Sequence, residues 1–549
     1  MCIHAHILHY PYNPPVFSKY DFRHDIQQKK SWKFRYFSEH IMPNTLSRRD
    51  FLKITSLSFG YPLLKNPLTS RWLENTTTPN ILFVVYDAFS ATHMSLYGYP
   101  RETTPNINHL AKKAIVYHQH YASGHWTFPG TTSLLTGVAP WSHRGFNRGD
   151  TIIPPFNTEN LFSYFKDYYS LAYTHNNVSD EVLTKLRAYL DEHIPRTELL
   201  TYKAFLLNTI LSNDFDAAAI SKRRITEISE EGYASSLFLS HLTELINAFT
   251  ERELRKNFVS PPKVEGSNDL FMLEDTTNWT IEQSNKLQRP YLAYIHNFPP
   301  HFPYVVRNDF AETFEDDGYV PVRKPEHFFT KITYTPNQKT DQFRLDYNRA
   351  IRYIDAEFGR LMDDLEQSGQ LENTIVVLTS DHGEVFERGM VRHNRPVFYQ
   401  SAVHVPLLIF MPGQKERIDI HETTSALDII PTLLYLTGKT IANKLEGIIL
   451  PPFAETDSNR SIFAMDASDN PANEKLSIYT AMIRKGPYKF TQYYGYPQIP
   501  NGSSYFELYN IQEDPEELTN LVDTAPKIAE ELRTELDAMI AKKDQPYNG

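Results

Sequence analysis

The sequence contains one cysteine, Cys2, among its 549 residues. A single thiol forms no internal disulfide and no cysteine metal cluster, and Cys2 is not placed to act as a nucleophile inside a folded core. Long hydrophobic runs are also absent, because no stretch approaches the roughly 20 apolar residues that a membrane-spanning helix requires. Disulfide scaffolds, thiol enzymes and a transmembrane segment are therefore excluded.

Basic residues are too few for a nucleic-acid-binding protein. The chain has 55 Lys and Arg against 66 Asp and Glu, a net charge of −11, and without a strong basic stripe such a protein repels the phosphate backbone. Hydrophobic residues make up 41% of the chain, and proline (36) and glycine (21) are not abundant. This composition is typical of globular proteins and excludes disorder throughout. The length allows three or four domain-sized units, or one elaborate α/β domain with an appendage.

Residues 1–78 are interpreted as an extension that precedes the folded protein. Ser47 to Lys53 reads Ser-Arg-Arg-Asp-Phe-Leu-Lys and matches the twin-arginine export signal. The apolar segment that follows, Ile54 to Leu64, is short, contains Pro62 and lacks a clean Ala-x-Ala cleavage site. We expect export through the twin-arginine pathway to the periplasm or another extracytoplasmic compartment; the alternative is a basic tail on a cytoplasmic protein.

The pattern of residues 79–446 is typical of a doubly wound α/β domain. Continuous apolar runs, as found in strands buried on both faces of a parallel sheet, alternate with helical patterns. These runs are Asn80–Tyr86, Tyr169–Thr174, Tyr291–Asn297, Thr374–Thr379 and Val405–Phe410. A helical insert is predicted at about residues 180–285, clearest from Asp180 to Phe258. In residues 447–549, short Tyr-rich runs predict a small antiparallel sheet, and Ala525–Ala541 predicts a closing helix.

Polar residues follow two of the apolar runs at the point where each run ends. Asp87 comes directly after the first run, and Ser380-Asp381-His382-Gly383-Glu384 follows the fourth. Ligand sites in open α/β sheets lie outside the carboxyl ends of the strands, so these side chains are expected to meet. Two carboxylates and an imidazole suit one divalent ion, Zn²⁺, Mn²⁺, Mg²⁺ or Ca²⁺. Taken singly, an aspartate in such a place is equally a helix cap or a turn former.

A short helix is predicted to begin at Thr127. Pro129 suits a first helical turn, and Gly137 stops the helix after Leu134 and Leu135. Free backbone N–H groups and the helix dipole at that end favour an anion, and a hydroxyl beside a divalent cation ionises more readily. Thr127 is therefore a candidate nucleophile, with simple helix capping as the alternative.

The order of motifs along the chain resembles the sulfatase branch of the alkaline-phosphatase superfamily. The opening, Asn80 to Asp87 and His93 to Ile107, is especially similar to phosphoethanolamine transferases and lipoteichoic acid synthases. The other matching segments are Thr127 to Gly137, Pro300 to Tyr304, Ser380 to Glu384, Arg392 to Ile409, Asp428 to Leu433 and Leu508 to Leu521. The resemblance covers about residues 79–525, apart from the helical insert.

This resemblance implies an alkaline-phosphatase-like three-layer αβα sandwich and one bound metal ion. The metal ligands that it implies are Asp87, Thr127, Asp381 and His382. By the same resemblance, Thr127 is the nucleophile, while His301 and His393 bind the remaining ester oxygens and protonate the leaving group. His125 and Arg148 would help to hold an anion, although a solvated loop explains both residues equally well.

Departures from the family pattern bear on the reaction. Sulfatases carry Cys or Ser at the nucleophile position and convert it to formylglycine, whereas Thr127 resembles the phosphotransferases that form a phosphothreonine. Many sulfatases pair two aspartates after the first strand, but Tyr86 precedes Asp87 here, which leaves one carboxylate. The lysine that follows the third strand in sulfatases is replaced by the His175-Asn176 region, so one basic sulfate clamp is lost.

These features predict a sulfatase-like hydrolase or transferase that acts on a phosphate or sulfate ester, with a phosphoester favoured. A sulfuric ester hydrolase is the alternative reaction. From a different class, the alternative is a metal-dependent pseudoenzyme that binds anions or glycans without turning them over. The expected partner is an anionic ester of a glycan or a lipid headgroup, and no nucleic acid.

Overall fold

The computed structural model describes residues 78–201, 249–264, 269–331, 334–500 and 502–547. The predicted export signal lies outside these residues, and so do residues 202–248 and 265–268 of the predicted helical insert. The described chain forms an eight-stranded, mostly parallel sheet between helices, followed by a four-stranded antiparallel sheet and a final helix. This arrangement confirms the predicted fold class. In the described part of the chain, no helix is both long enough and apolar enough to cross a membrane.

The strands of the described residues are numbered in chain order. They are β1 (Asn80–Tyr86), β2 (Ile115–Tyr121), β3 (Tyr169–Thr174), β4 (Glu192–His193), β5 (Phe258–Ser260), β6 (Tyr291–Asn297), β7 (Val306–Arg307), β8 (Thr374–Thr379), β9 (Phe386–Glu387), β10 (Met390–Val391), β11 (Leu407–Phe410), β12 (Ile418–Ser425), β13 (Ile462–Asp466), β14 (Tyr479–Lys485), β15 (Tyr488–Tyr494) and β16 (Ser504–Asn510).

The principal α-helices are numbered in the same way. They are α1 (Pro105–Leu110), α2 (Thr127–Thr136), α3 (Pro140–His143), α4 (Leu161–Tyr164), α5 (Asn177–Leu186), α6 (Leu273–Lys286), α7 (Asn337–Gln367), α8 (Gln400–Val403), α9 (Ile429–Leu436) and α10 (Pro526–Asp544).

The central sheet has the strand order β12-β2-β11-β8-β1-β6-β3-β4. Within the described residues only β11 runs antiparallel to its neighbours, β2 and β8. Four of the five apolar runs form strands at the predicted bounds, and the fifth begins at Leu407. The sequence pattern missed β2 and β12 because both contain several polar residues, which interrupt the continuous apolar signal on which the prediction relied.

The alternation of side chains along β1 produces the three layers. Ile81 and Phe83 face a core that also contains apolar residues of α2, α5 and α9. Leu82 and Val84 face a second core with residues of α1, α6 and α7. Because successive side chains of a strand point to opposite faces, one fully apolar run accounts for both cores.

The described flanks of the predicted helical insert are less helical than expected. Helix α5 is followed by the short strand β4, which pairs in parallel with β3 and extends the central sheet. Before α6, the strand β5 pairs with β7. At residues 187–201, 255–264 and 269–272 the insert is therefore not the helix that was predicted, because short strands carry too few residues for a period to be distinguished.

The C-terminal sheet packs on the α/β part of the chain (residues 79–446) through one face and on α10 through the other. Tyr493 and Tyr509 lie in a cluster with Phe398 and Tyr399 of that α/β part. Residues of α10, including Leu536, pack against the opposite face. The sheet order is β13-β14-β15-β16, and β13 is the strand that the Tyr-rich runs did not predict.

A buried ion pair joins α10 to the α/β part of the chain (residues 79–446). Arg144 Nη2 lies 2.7 Å from Asp544 Oδ1, and the two side chains are 0% and 5% exposed. Removing one partner of such a pair leaves an uncompensated buried charge. We therefore expect Asp544→Ala to lower the free energy of unfolding by about 3 kcal/mol, measured by urea denaturation.

The matched control is an exposed ion pair between Lys113 and Glu366, whose side chains are 55% and 56% exposed. Lys113→Ala is expected to change the free energy of unfolding by less than about 1 kcal/mol, because solvent screens the pair. Equal losses in Asp544→Ala and Lys113→Ala would show that the buried pair has no special role.

Candidate active site

Asp87, Asp381 and His382 meet at the carboxyl ends of β1 and β8. One oxygen of each carboxylate and one imidazole nitrogen all lie within 4.8 Å of one another. His382 Nε2 is 3.3 Å from Asp87 Oδ1 and 3.8 Å from Asp381 Oδ2. All three residues are buried. The structure thus brings together the residues that followed two separate apolar runs in the sequence.

Ser380 and Gly383 shape the turn that carries Asp381 and His382. Ser380 Oγ lies 2.6 Å from the Tyr86 carbonyl oxygen and 2.7 Å from the His382 carbonyl oxygen, which share its one hydroxyl hydrogen. The Gly383 N–H donates to a carbonyl of α8, and a Cβ on Gly383 would lie 2.1 Å from the Ser401 carbonyl oxygen. Only glycine allows this close backbone approach.

Thr127 is the first residue of α2, as predicted, and its side chain faces the cluster. Its Oγ1 lies 3.3 Å from His382 Nε2, and Thr127 is buried. The preceding residue, Trp126, is extended, and its side chain does not cap the helix. One turn later, Thr131 Oγ1 donates to Asp381 Oδ2 at 3.2 Å. The amino end of α2 is therefore docked directly on the two carboxylates.

Two further histidines complete a group of three imidazoles over Thr127 and the carboxylates. The ring centroids of His393 and His382 are 4.5 Å apart, and those of His301 and His393 are 4.8 Å apart. His393 Nδ1 lies 3.3 Å from Glu384 Oε1. Burial, together with the positive charges of His382 and His301, lowers the pKa of His393 well below its usual value.

The sequence analysis did not identify His296, which occupies the buried base of the site. It is on β6, and its Nε2 lies 3.5 Å from Asp87 Oδ2 and 3.8 Å from Asp381 Oδ2. The same rule that identified Asp87, a polar residue near the carboxyl end of a buried strand, would have found it. His296 lies inside Tyr291–Asn297, and the prediction considered only polar residues that follow an apolar run, not those within it.

Asn176 occupies the region where the family's lysine is replaced. Its Nδ2 donates to Asp87 Oδ2, and its Oδ1 caps α5 by accepting from the backbone N–H groups of Val178 and Ser179. One side chain therefore orients Asp87 and starts a helix. Its neighbour His175 faces elsewhere and bonds to Thr276 Oγ1 at 2.8 Å.

His125 and Arg148, the two candidates for holding an anion, have different partners and different exposure in the structure. His125 is buried, and its Nδ1 lies 3.2 Å from Asp466 Oδ2. Arg148 is 55% exposed and pairs with Glu181, so it is a surface residue with a protein partner. The alternative that the sequence offered for Arg148, a solvated loop, agrees with this position.

Burial and neighbouring charges shift the pKa values of Asp381, Asp87 and His382. Burial and the charge of Asp87 raise the pKa of Asp381, which is the behaviour of two carboxylates enclosed together. Burial also opposes ionisation of Asp87, but the charges of His301 and His296 lower its pKa well below the usual range. Although burial acts in the opposite direction, Asp381 and Asp87 raise the pKa of His382 to about 9. This arrangement favours a cation between the carboxylates.

The residues fit a divalent metal ion. Asp87 Oδ1 is buried and accepts no hydrogen bond from the described residues, and a buried carboxylate oxygen is costly unless a cation or a donor satisfies it. Two carboxylates, one imidazole and one hydroxyl form a mixed oxygen and nitrogen ligand set of the kind that Zn²⁺ or Mn²⁺ accepts. Asp87, Asp381, His382 and Thr127 are the residues that would hold the ion.

Two protein-family models match the chain. A family model described as Sulfatase matches residues 79–439, and a model described as N-sulphoglucosamine sulphohydrolase, C-terminal, matches residues 390–544. Arylsulfatase K of Bos taurus is 26% identical over 296 residues, 48% of this chain and 53% of that protein. The chain thus matches about half the length of that relative.

Other relatives align over most of their length. An ulvan-active sulfatase of Formosa agariphila is 25% identical over 481 residues, which cover 86% of this chain and 82% of that protein. The crystal structure of the phosphonate monoester hydrolase of Agrobacterium radiobacter has a TM-score of 0.61 at 19% identity and covers 85% of this chain and 96% of that chain. At this identity, the structural likeness shows the fold alone.

The ligand set can be tested by binding without any assay of activity. An ion that binds only the folded protein stabilises it by about 2.7 kcal/mol at 100 times its dissociation constant. We expect Zn²⁺ or Mn²⁺ to raise the melting temperature of the wild-type protein and to leave Asp381→Ala unchanged.

The control is Asp355→Asn, a buried carboxylate that caps α1 away from the site. This variant is expected to be less stable but to retain the full metal-induced rise. If Asp381→Ala responds to both ions as strongly as the wild type does, the assigned ligand set is wrong.

The close approach of α2 to Asp381 generates a second prediction. A Cβ on Gly130 would lie 2.5 Å from the Asp381 carbonyl oxygen, so an alanine forces the helix away from the site. We expect Gly130→Ala to cost about 1–3 kcal/mol of unfolding free energy and to weaken the metal-induced rise in melting temperature.

Gly502→Ala is the matched control, because the nearest atom to its Cβ is 4.0 Å away. It should leave both the unfolding free energy and the response to metal unchanged. A Gly130→Ala protein with wild-type stability and metal response would contradict the tight docking of α2.

Proposed function

The chain belongs to the sulfatase family, and we propose that it is a metal-dependent ester hydrolase or transferase with Thr127 as its nucleophile and a phosphoester as its preferred substrate. The observation that carries the proposal is the position of Thr127 Oγ1, 3.3 Å from His382 Nε2 at the amino end of α2. That position combines a hydroxyl, a helix N-terminus and a candidate metal site.

The first step forms a bond between Thr127 Oγ and the phosphorus and breaks the bond from phosphorus to the leaving alcohol. A divalent ion held by the site would lower the pKa of the Thr127 hydroxyl and polarise the ester. The hydroxyl releases its proton to solvent before the attack, and the imidazole of His301 gives a proton to the departing alcohol. The lowered pKa of His393 suits that residue to bind an ester oxygen instead.

The second step cleaves the phosphothreonine. A water molecule or an acceptor alcohol forms the new bond to phosphorus, the bond to Thr127 Oγ breaks, and the incoming group returns its proton to the imidazole. Thr127 then regains a proton from solvent. Water as the acceptor makes the protein a hydrolase, and an alcohol makes it a transferase.

Threonine at the nucleophile position supports a phosphoester. The formylglycine of sulfatases is made from Cys or Ser, and Thr127 is neither. The names of the relatives favour a sulfuric ester hydrolase as the second candidate, since both curated relatives described above are sulfatases. A glycan or a lipid headgroup is proposed as the alcohol part of the ester. A protein that binds such anions without turnover is the third candidate.

The proposal is tested by parallel assays of metal-loaded protein on an aryl phosphate, an aryl phosphodiester and an aryl sulfate. We expect turnover of a phosphoester and a fall of roughly 10³-fold or more in Thr127→Ala, because removal of a nucleophile abolishes the first step. Mass spectrometry of quenched wild-type protein should find a phosphoryl group on the peptide that contains Thr127.

Thr132→Ala is the matched control, since Thr132 lies on the same helix and its hydroxyl bonds only to the Phe128 carbonyl within the described chain. It should retain most of the activity. Turnover of the sulfate alone would favour the second candidate, and turnover of none of the three esters by metal-loaded protein would favour the third.

A further inference from the structure

A side cavity of about 650 Å³ shares one wall with the candidate active site. The described residues that line it come from the segments 92–102 and 314–324, together with residues of α7, β9, α8 and the loop after β16. The shared wall is α8, because Ser401 lines the side cavity and its carbonyl oxygen accepts from the Glu384 N–H at 2.9 Å. None of the candidate active-site residues is among the described residues of the lining. Its volume is typical of sites for small molecules.

The positive charges of the side cavity are already paired. Each lysine or arginine among the described lining residues faces at least one carboxylate; the pairs are Arg101–Asp317 at 2.6 Å, Lys324–Glu387 at 2.7 Å, Lys324–Glu516 at 2.9 Å and Arg344–Asp341 at 3.5 Å. A ligand bound for its negative charge would have to compete with these carboxylates. The charge balance therefore favours a neutral ligand over an anionic one.

The shared wall carries polar groups that the described chain does not satisfy. Gln400 and Ser401 line the side cavity and are 8% and 6% exposed. Gln400 Oε1 and Ser401 Oγ are buried and form no hydrogen bond with any described residue. Buried polar atoms in native proteins are normally paired with protein, water or a ligand. A molecule with several hydroxyl groups supplies the donors and acceptors that these two side chains lack.

Half-buried aromatic rings form another part of the lining. Tyr99, Phe314 and Tyr319 all line the side cavity. The ring centroids of Tyr99 and Tyr319 are 5.5 Å apart, and the Arg101 guanidinium lies 4.5 Å from the Tyr319 centroid. Aromatic side chains thus place apolar surface next to polar groups. A sugar has the complementary surface, because one face of its ring carries C–H groups and its rim carries hydroxyls.

We propose that the side cavity is a binding site for a neutral saccharide. Paired charges, unsatisfied polar groups and aromatic rings together recognise a molecule that is rich in hydroxyls and has no net charge. The sugar has two sources: an uncharged unit of a glycan whose ester is bound at Thr127, or a saccharide that is not joined to the substrate. The first source rests on the proposed function, whereas binding in the side cavity does not.

Binding is measured by isothermal titration calorimetry of the wild-type protein with neutral oligosaccharides of glucose, galactose and mannose. We expect at least one of them to bind with one site per chain. Val322→Trp places a large side chain in the lining, and Tyr319→Ala removes a ring, so each should weaken binding about 10-fold or more. Val259→Trp and Tyr189→Ala are the matched controls, because both residues are exposed and lie outside the lining. They should bind as the wild type does.

Turnover by metal-loaded protein distinguishes the two sources of the sugar. If the sugar belongs to the substrate, kcat/KM for an oligosaccharide phosphate exceeds that for the monosaccharide phosphate by about 10-fold. Val322→Trp should then remove the difference and leave turnover of an aryl phosphate unchanged. If the saccharide is separate, the two sugar phosphates react equally, and the added neutral oligosaccharide binds without competing with the aryl phosphate. Either result supports the proposal.

The proposal is overturned if the wild type binds none of the neutral oligosaccharides, or if it binds only uronic acids or amino sugars. It is also overturned if Val322→Trp and Tyr319→Ala both bind as tightly as the wild type does, because the sugar then lies elsewhere. Should Val322→Trp fail to fold, Tyr319→Ala decides between the same outcomes. A wild-type protein that binds the saccharide but turns over no ester contradicts the proposed function and still supports this inference.

Discussion

The site depends on two carboxylates enclosed at one edge of a sheet. Asp87 and Asp381 follow adjacent parallel strands, and neither is exposed to solvent. Burial, and after it the like charge of Asp87, raises the pKa of Asp381. Imidazoles and, when bound, a divalent ion are what make such a pair tolerable. The position of Thr127 has chemical meaning only because its hydroxyl shares that space.

The packing around the carboxylates is arranged for close approach. Gly130 lets the backbone of α2 lie against Asp381, and Gly383 lets the following turn lie against α8. Ser380 joins the ends of β1 and β8 through one hydroxyl. Small residues next to the strand ends therefore bring α2 and Thr127 within reach of the two acids, while the apolar strands behind them supply a rigid support.

The C-terminal part of the chain contacts the α/β part (residues 79–446) in two ways. The C-terminal sheet buries aromatic residues against the α/β part, and the Arg144–Asp544 ion pair joins α10 to it. These contacts are structural. The contact of Asp466 with His125 is different, because His125 precedes Thr127 by only two residues.

The sequence by itself determined the strands with continuous apolar runs, the start of α2 at Thr127, and the family, because each depends on residues close together in the chain. It also indicated that Asp87 and the Asp381-His382 pair meet, since parallel strands end at one edge. Only the tertiary structure decided the reversed direction of β11, the place of His296 beneath the acids, and the partnership of His125 with Asp466. These are contacts between residues far apart in the chain, and neither period nor propensity carries information about such partners.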